Sequence, residues 1–197
     1  MSSSLWHWAL GGFLVGSLVG SRFRGTASGV PGRPSHRGIA LVGDSFAVGL
    51  GPQILQLARE DGVPFAWDGE VGTGVLSWVD SPRLVALLER KPRGLLVSLG
   101  GNDYQRNDGE AVIQAIDQFS HIVKQAGVKL LWVEPLSFNI EDKNGVKERW
   151  LQHTDFVNWY PSSQLDVPRS SDGIHPTGAG YQQWAAELWP WALDHAG

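Results

Sequence analysis

The hydrophobic pattern divides the chain into three stretches. Apolar residues run almost unbroken from Leu5 to Gly20 (LWHWALGGFLVGSLVG), with His7 the only ionisable side chain among them. As a helix this run would extend about 24 Å, against a bilayer hydrocarbon core of roughly 30 Å. Gly12, Gly16 and Gly20 recur every four residues on one helix face, a spacing that lets helix backbones approach each other. Trp6 and Trp8 suit a membrane interface. The segment is expected to be a membrane-associated helix that contacts a membrane or a second copy of the chain through those glycines. Two alternatives stay open. One is a signal-like segment that is later removed, although no Lys or Arg precedes the apolar run. The other is a helix buried against protein in an assembly.

Ser21 to Gly38 (SRFRGTASGVPGRPSHRG) is rich in Gly and Pro and is expected to be a solvated linker. From Ile39 onward the pattern alternates. Short apolar runs at Ile39–Val42, Pro64–Trp67, Gly94–Leu99 and Val128–Val133 predict buried strands. Between them, apolar positions at helical spacing predict helices over Val48–Glu60, from Ser81-Pro82 to about Arg90, and over Glu110–Gln125. Glu134 to Arg169 is polar, with a helix expected around Val146–Trp159, and Thr177–Leu193 predicts a final helix. Alternating strands and helices imply an α/β fold with a central parallel sheet covered on both faces. The expected organisation is an apolar helix over residues 1–20, a linker over 21–38 and one α/β domain over 39–197.

Charge sharpens this division. The first 43 residues carry four Arg (Arg22, Arg24, Arg33, Arg37) and no Asp or Glu, whereas the remainder carries 12 basic and 20 acidic residues. An acidic body argues against nucleic acid as a partner, and a basic stretch beside an apolar one argues for a membrane surface. That basic flank follows the apolar run. Under the positive-inside rule it would keep the domain cytoplasmic, so the side of the membrane stays open. The chain has no cysteine, which excludes disulfides, a thiolate nucleophile and Cys-based zinc sites.

Three peptides carry candidate chemistry, each just after a predicted strand or just before a helix, where open α/β sheets build their sites. Gly43-Asp44-Ser45 ends the first strand and puts a hydroxyl and a backbone N–H at a helix N-terminus, where negative charge is stabilised. Gly100-Gly101-Asn102-Asp103 follows the GLLVSL strand, and an Asn amide there can donate to a developing oxyanion. In Asp172-Gly173-Ile174-His175 the carboxylate can fix the tautomer of the imidazole. Each peptide alone also reads as an ordinary cap or turn. Together they place a nucleophile, an oxyanion donor and a base along one sheet edge.

In these blocks the sequence resembles the SGNH hydrolases, also called the GDSL esterase/lipase family, from about Gly38 to the C-terminus. The first block stands as Gly43-Asp44-Ser45, with Phe46 where Leu is usual. The third stands as Gly100-Gly101-Asn102-Asp103, and the fifth as Asp172-Gly173-Ile174-His175. The second requires a glycine after the second strand, for which Gly72 fits best and Gly74 is the alternative. The resemblance accounts for nothing in the first 38 residues. It implies a three-layer α/β/α flavodoxin-like fold and ester hydrolysis without metal or cofactor. Ser45 would be the nucleophile, His175 the general base and Asp172 its orienting partner. The Ser45 and Gly72 N–H groups and the Asn102 amide would form the oxyanion hole. Asp44 and Asp103 would brace loops.

The substrate expected is an acyl ester on a glycan or a lipid. Trp67, Trp78, Trp132, Trp150 and Trp159 could line a sugar or acyl site, although large aromatics are more often core. His121, His153 and His195 have no partners at metal-ligand spacing. Two other readings compete. Asp44, Asp103 and Asp172 could gather around a divalent cation for phosphoester chemistry. Alternatively, the chain could be an anchored assembly component that retains a hydrolase fold.

Overall fold

In the computed structural model of the chain, residues 23–27, 37–137, 140–154 and 158–197 are described. The expected N-terminal helix lies outside them. Six strands form one sheet: β1 (Phe23–Ala27), β2 (Ile39–Gly43), β3 (Phe65–Gly69), β4 (Gly94–Ser98), β5 (Lys129–Val133) and β6 (Trp159–Tyr160). Their spatial order is β1-β3-β2-β4-β5-β6. β2 to β6 run parallel, with Ile39 opposite both Phe65 and Gly94. The helices are α1 (Ser45–Glu60), α2 (Pro82–Leu88), α3 (Gly109–Gln125), α4 (Val146–His153) and α5 (Gly178–Ala196).

The parallel strands are apolar because both of their faces are covered. Ala40, Val42, Leu95, Val97 and Trp132 pack with α2, α3 and α4 on one side. Ile39, Leu41, Leu96, Leu131 and Val133 pack with α1 and α5 on the other. This is the expected three-layer α/β/α arrangement. Local chemistry sets the helix starts. The Ser81 hydroxyl accepts from the Arg83 N–H with Pro82 in the first turn of α2, and the Thr177 hydroxyl accepts from the Gly180 N–H to open α5.

Two expectations change. Phe23–Ala27, expected as part of the linker, is strand β1, antiparallel to β3 with Phe23 opposite Gly69 and Ala27 opposite Phe65. The free edge of β3 supplies the hydrogen-bond partners, so a glycine-containing segment joins the sheet despite its weak strand propensity. The helix expected over Val146–Trp159 ends at His153, and Trp159–Tyr160 instead pairs with β5. The tryptophans belong to the core, the commoner of the two readings: Trp67, Trp78, Trp132 and Trp150 are buried, and Trp159 packs partly buried against the cluster that holds Trp78, Trp132 and Trp150. Among the described residues, no helix is long and apolar enough to cross a membrane.

Candidate active site

The carboxyl ends of β2, β3 and β4 lead into three loops that meet at the N-terminus of α1. Asp44 caps that helix, its Oδ1 accepting from the Phe46 N–H at 2.9 Å. Ser45 is the first residue of α1, so its N–H has no carbonyl within the helix to bond. The Ser45 Oγ lies 2.8 Å from His175 Nε2, and His175 Nδ1 lies 2.7 Å from Asp172 Oδ2. The sequence separates Ser45 and His175 by 130 positions. The fold joins them because α5, which follows His175, packs against α1.

The turn that carries His175 is built around Asp172. Its Oδ1 accepts from the Ser170 hydroxyl at 2.8 Å and from the N–H groups of Ile174 at 2.8 Å and His175 at 2.9 Å. Burial disfavours the charged carboxylate, but these bonds and that to His175 outweigh it and hold Asp172 well below the usual carboxylate range. An ionised carboxylate only accepts. The hydrogen therefore sits on His175 Nδ1, which leaves Nε2 as the acceptor for the Ser45 hydroxyl. The Phe46 ring lies 5.5 Å from the imidazole. Arg169 fastens the turn by donating to the carbonyls of Ile174 at 2.6 Å and Ser137 at 3.0 Å.

Asn102 and Gly72 reach the same edge. Asn102 is exposed, and its Nδ2 donates to the Thr73 carbonyl at 2.9 Å and to Asp44 Oδ2 at 3.3 Å. Gly72 is exposed at φ +76°, with nothing within 4 Å of where a Cβ would stand. Gly74 is different: it is buried, and a Cβ there would lie 2.0 Å from Asp103 Oδ1. Asp103 is fully buried and its Oδ2 accepts from the Val75 N–H at 3.1 Å. Burial pushes the Asp44 carboxyl up to about 7 and the Asp103 carboxyl up to about 6. These two groups join loops, as expected. Asp172 faces His175, so the three carboxylates do not gather around a cation position. No group of three His, Asp or Glu side chains among the described residues is arranged to hold a metal.

Several contacts were not legible in the sequence. Tyr181 on α5 packs against Gly49, where a Cβ would fall 2.1 Å from its ring, and its hydroxyl donates to the Ser45 carbonyl at 3.4 Å. A glycine in mid-helix was the available signal. Arg83 pairs with Asp68 at 2.5 Å and with Glu70, and lies over the Trp78 ring. It thereby anchors the start of the loop that carries Gly72. His153 and His195, expected to be surface or packing histidines, make local contacts: His153 pairs with Asp117 at 2.7 Å, and His195 stacks on Trp191. A wide cleft of about 990 Å³ beside α3, lined by His121, Lys124 and His153 among others, contains none of the expected site residues.

This fold is similar to that of solved structures named as GDSL-like lipases and carbohydrate esterases. The chain is similar to a GDSL-like lipase from Bacteroides thetaiotaomicron, with TM-score 0.61 and 17% identity over 82% of this chain and 89% of that one. It is similar to TesA, with TM-score 0.59 and 22% identity over 81% and 99% of the two chains. It is also similar to a carbohydrate esterase of family 3 from Talaromyces cellulolyticus, with TM-score 0.58 and 17% identity over 82% and 98%. At these identities the likeness is one of fold. No protein-family model matches the chain, and no curated protein matches it by sequence.

Proposed function

We propose that the chain is a serine esterase that hydrolyses an acyl ester through Ser45, His175 and Asp172. The observation that carries this reading is the continuous hydrogen-bond chain from Ser45 Oγ through the imidazole to the Asp172 carboxylate. Ser45 Oγ attacks the ester carbonyl as its proton passes to His175 Nε2, and Asp172 stabilises the imidazolium. The carbonyl oxygen becomes an oxyanion, which accepts from the N–H groups of Ser45 and Gly72 and from the Asn102 amide. Gly72 is favoured over Gly74 because it is exposed, whereas the place of Gly74 is explained by packing on Asp103. As the intermediate collapses, His175 gives its proton to the leaving alcohol. A water activated by the same imidazole then releases the acid and restores Ser45.

The substrate we favour is a short acyl group on a bulky polar alcohol such as a glycan. The site is open: the His175 and Asp172 side chains are 35% and 47% exposed. A long acyl chain would call for a deeper apolar groove to remove it from water. Two of the similar structures are named as an acetyl xylan esterase and a family 3 carbohydrate esterase. We further infer that residues 1–20 hold the enzyme at a membrane, which co-flotation of the full chain with anionic vesicles would test.

The deciding experiment treats the folded protein with a fluorophosphonate and maps the adduct, in parallel with aryl acetate and aryl decanoate turnover. A single adduct on Ser45, turnover abolished in Ser45→Ala, and preference for acetate are expected. Absence of both adduct and turnover in the folded chain would overturn the esterase reading in favour of an assembly component with a hydrolase fold. Preference for decanoate would overturn the short-acyl reading alone.

A further inference from the structure

The Asn102 amide has work to do before any substrate arrives. Its nitrogen stands where the loops after β2, β3 and β4 meet, one hydrogen on Thr73 O at 2.9 Å and the other on Asp44 Oδ2 at 3.3 Å. We propose that Asp44 is a positioning residue that acts through Asn102, holding its amide beside Ser45 so that it can receive the oxyanion. The inference rests on the esterase reading above.

Capping α1 does not by itself call for an aspartate. A cap needs one oxygen, here Oδ1 on the Phe46 N–H, and Ser, Thr or Asn would supply it. Those residues would also avoid burying a carboxyl, which is costly unless it is bonded, and Asp44 is only 2% exposed. The second oxygen is what Asp adds, and that oxygen accepts from Asn102 on the neighbouring strand's loop. One side chain therefore ties the helix N-terminus that presents Ser45 to the amide that would stabilise the product of its attack. The two bonds held by Asn102 are unequal. The bond to Thr73 has ordinary length, whereas that to Asp44 is long and correspondingly weak. The hydrogen turned toward Asp44 is the one released to a developing oxyanion, while Thr73 keeps the nitrogen in place. Asp103 fixes the backbone beneath, since it follows Asn102 directly and its Oδ2 accepts from the Val75 N–H.

The test is a double-mutant cycle on the full chain, read as kcat and KM for an aryl acetate, with thermal melting as the folding control. Asp44→Asn keeps an oxygen for the Phe46 N–H but turns an amide donor toward the Asn102 amide. It is expected to lower kcat about 10- to 100-fold, the scale of a small misplacement of a catalytic group. KM should stay within about twofold, since the interaction is made in the transition state. Asn102→Ala should lower kcat about 100- to 1,000-fold, and adding Asp44→Asn to it should lower kcat no further. An unchanged kcat in Asp44→Asn, or losses that multiply in full, would overturn the proposal. Should Asp44→Asn melt well below the parent, Asp44→Ser, which also keeps the cap, takes its place in the cycle. Failure of the esterase reading looks different, because the parent protein itself would then show neither a Ser45 adduct nor turnover.

Discussion

Two glycines two positions apart, Gly72 and Gly74, show how much a single missing side chain decides at this site. Gly74 is glycine because Asp103 occupies the space of a Cβ. Gly72 is glycine because its φ of +76° is a left-handed conformation in open space. The two substitutions should therefore separate. Gly74→Ala is expected to lower stability by about 1–3 kcal/mol through overpacking, read as a lower denaturant midpoint. Gly72→Ala strains only its own backbone and should cost about 1–2 kcal/mol, with no buried neighbour displaced. The sequence offered both glycines to one role, since residue type alone does not report φ or neighbours.

Among the elements, the link between β3 and α2 shows where stability concentrates. The Arg83 side chain is 13% exposed and its partner Asp68 only 4%. Arg83→Met removes one partner of a largely buried ion pair and is expected to cost about 3 kcal/mol. Arg106, paired with Asp108 where the two are 41% and 46% exposed, should cost under about 1 kcal/mol on replacement by Ala. Urea midpoints of the two variants check the contrast. The Arg83 change should also lower turnover, because Glu70, which Arg83 holds, begins the loop that carries Gly72. The strand runs and helix periods of β2, α1, β4, α3 and β5 were readable because burial on one or two faces imposes a local period. β1 and β6 were not: each is ordered by pairing with an edge, and an edge is a property of the assembled sheet.

For the whole molecule, the buried acids give a pH dependence with a definite sign. Asp44 and Asp103 have folded-state values raised to about 7 and about 6 from an ordinary 3.8. Between about pH 4 and pH 7 the folded chain therefore holds more protons than the unfolded one, so stability falls as pH rises through this window. Asp172 is shifted the other way, so its contribution is complete above the ordinary carboxylate range and is lost only in stronger acid. Chemical denaturation should give a higher midpoint at pH 5 than at pH 8. Asp103→Asn should flatten that difference, since it removes one of the two titrating groups.

The sequence by itself determined the alternation of strands and helices, the parallel three-layer class and the three peptides around Ser45, Asn102 and His175. Each of these is written in local spacing: the period of buried positions, the caps, and short blocks just after a strand or before a helix. Only the tertiary structure decided that Ser45 and His175 lie 2.8 Å apart, that Asn102 is held between Asp44 and Thr73, and that Phe23–Ala27 belongs to the sheet. Those are contacts between distant segments. Their partners are chosen by which strands neighbour which, and no local pattern carries that information.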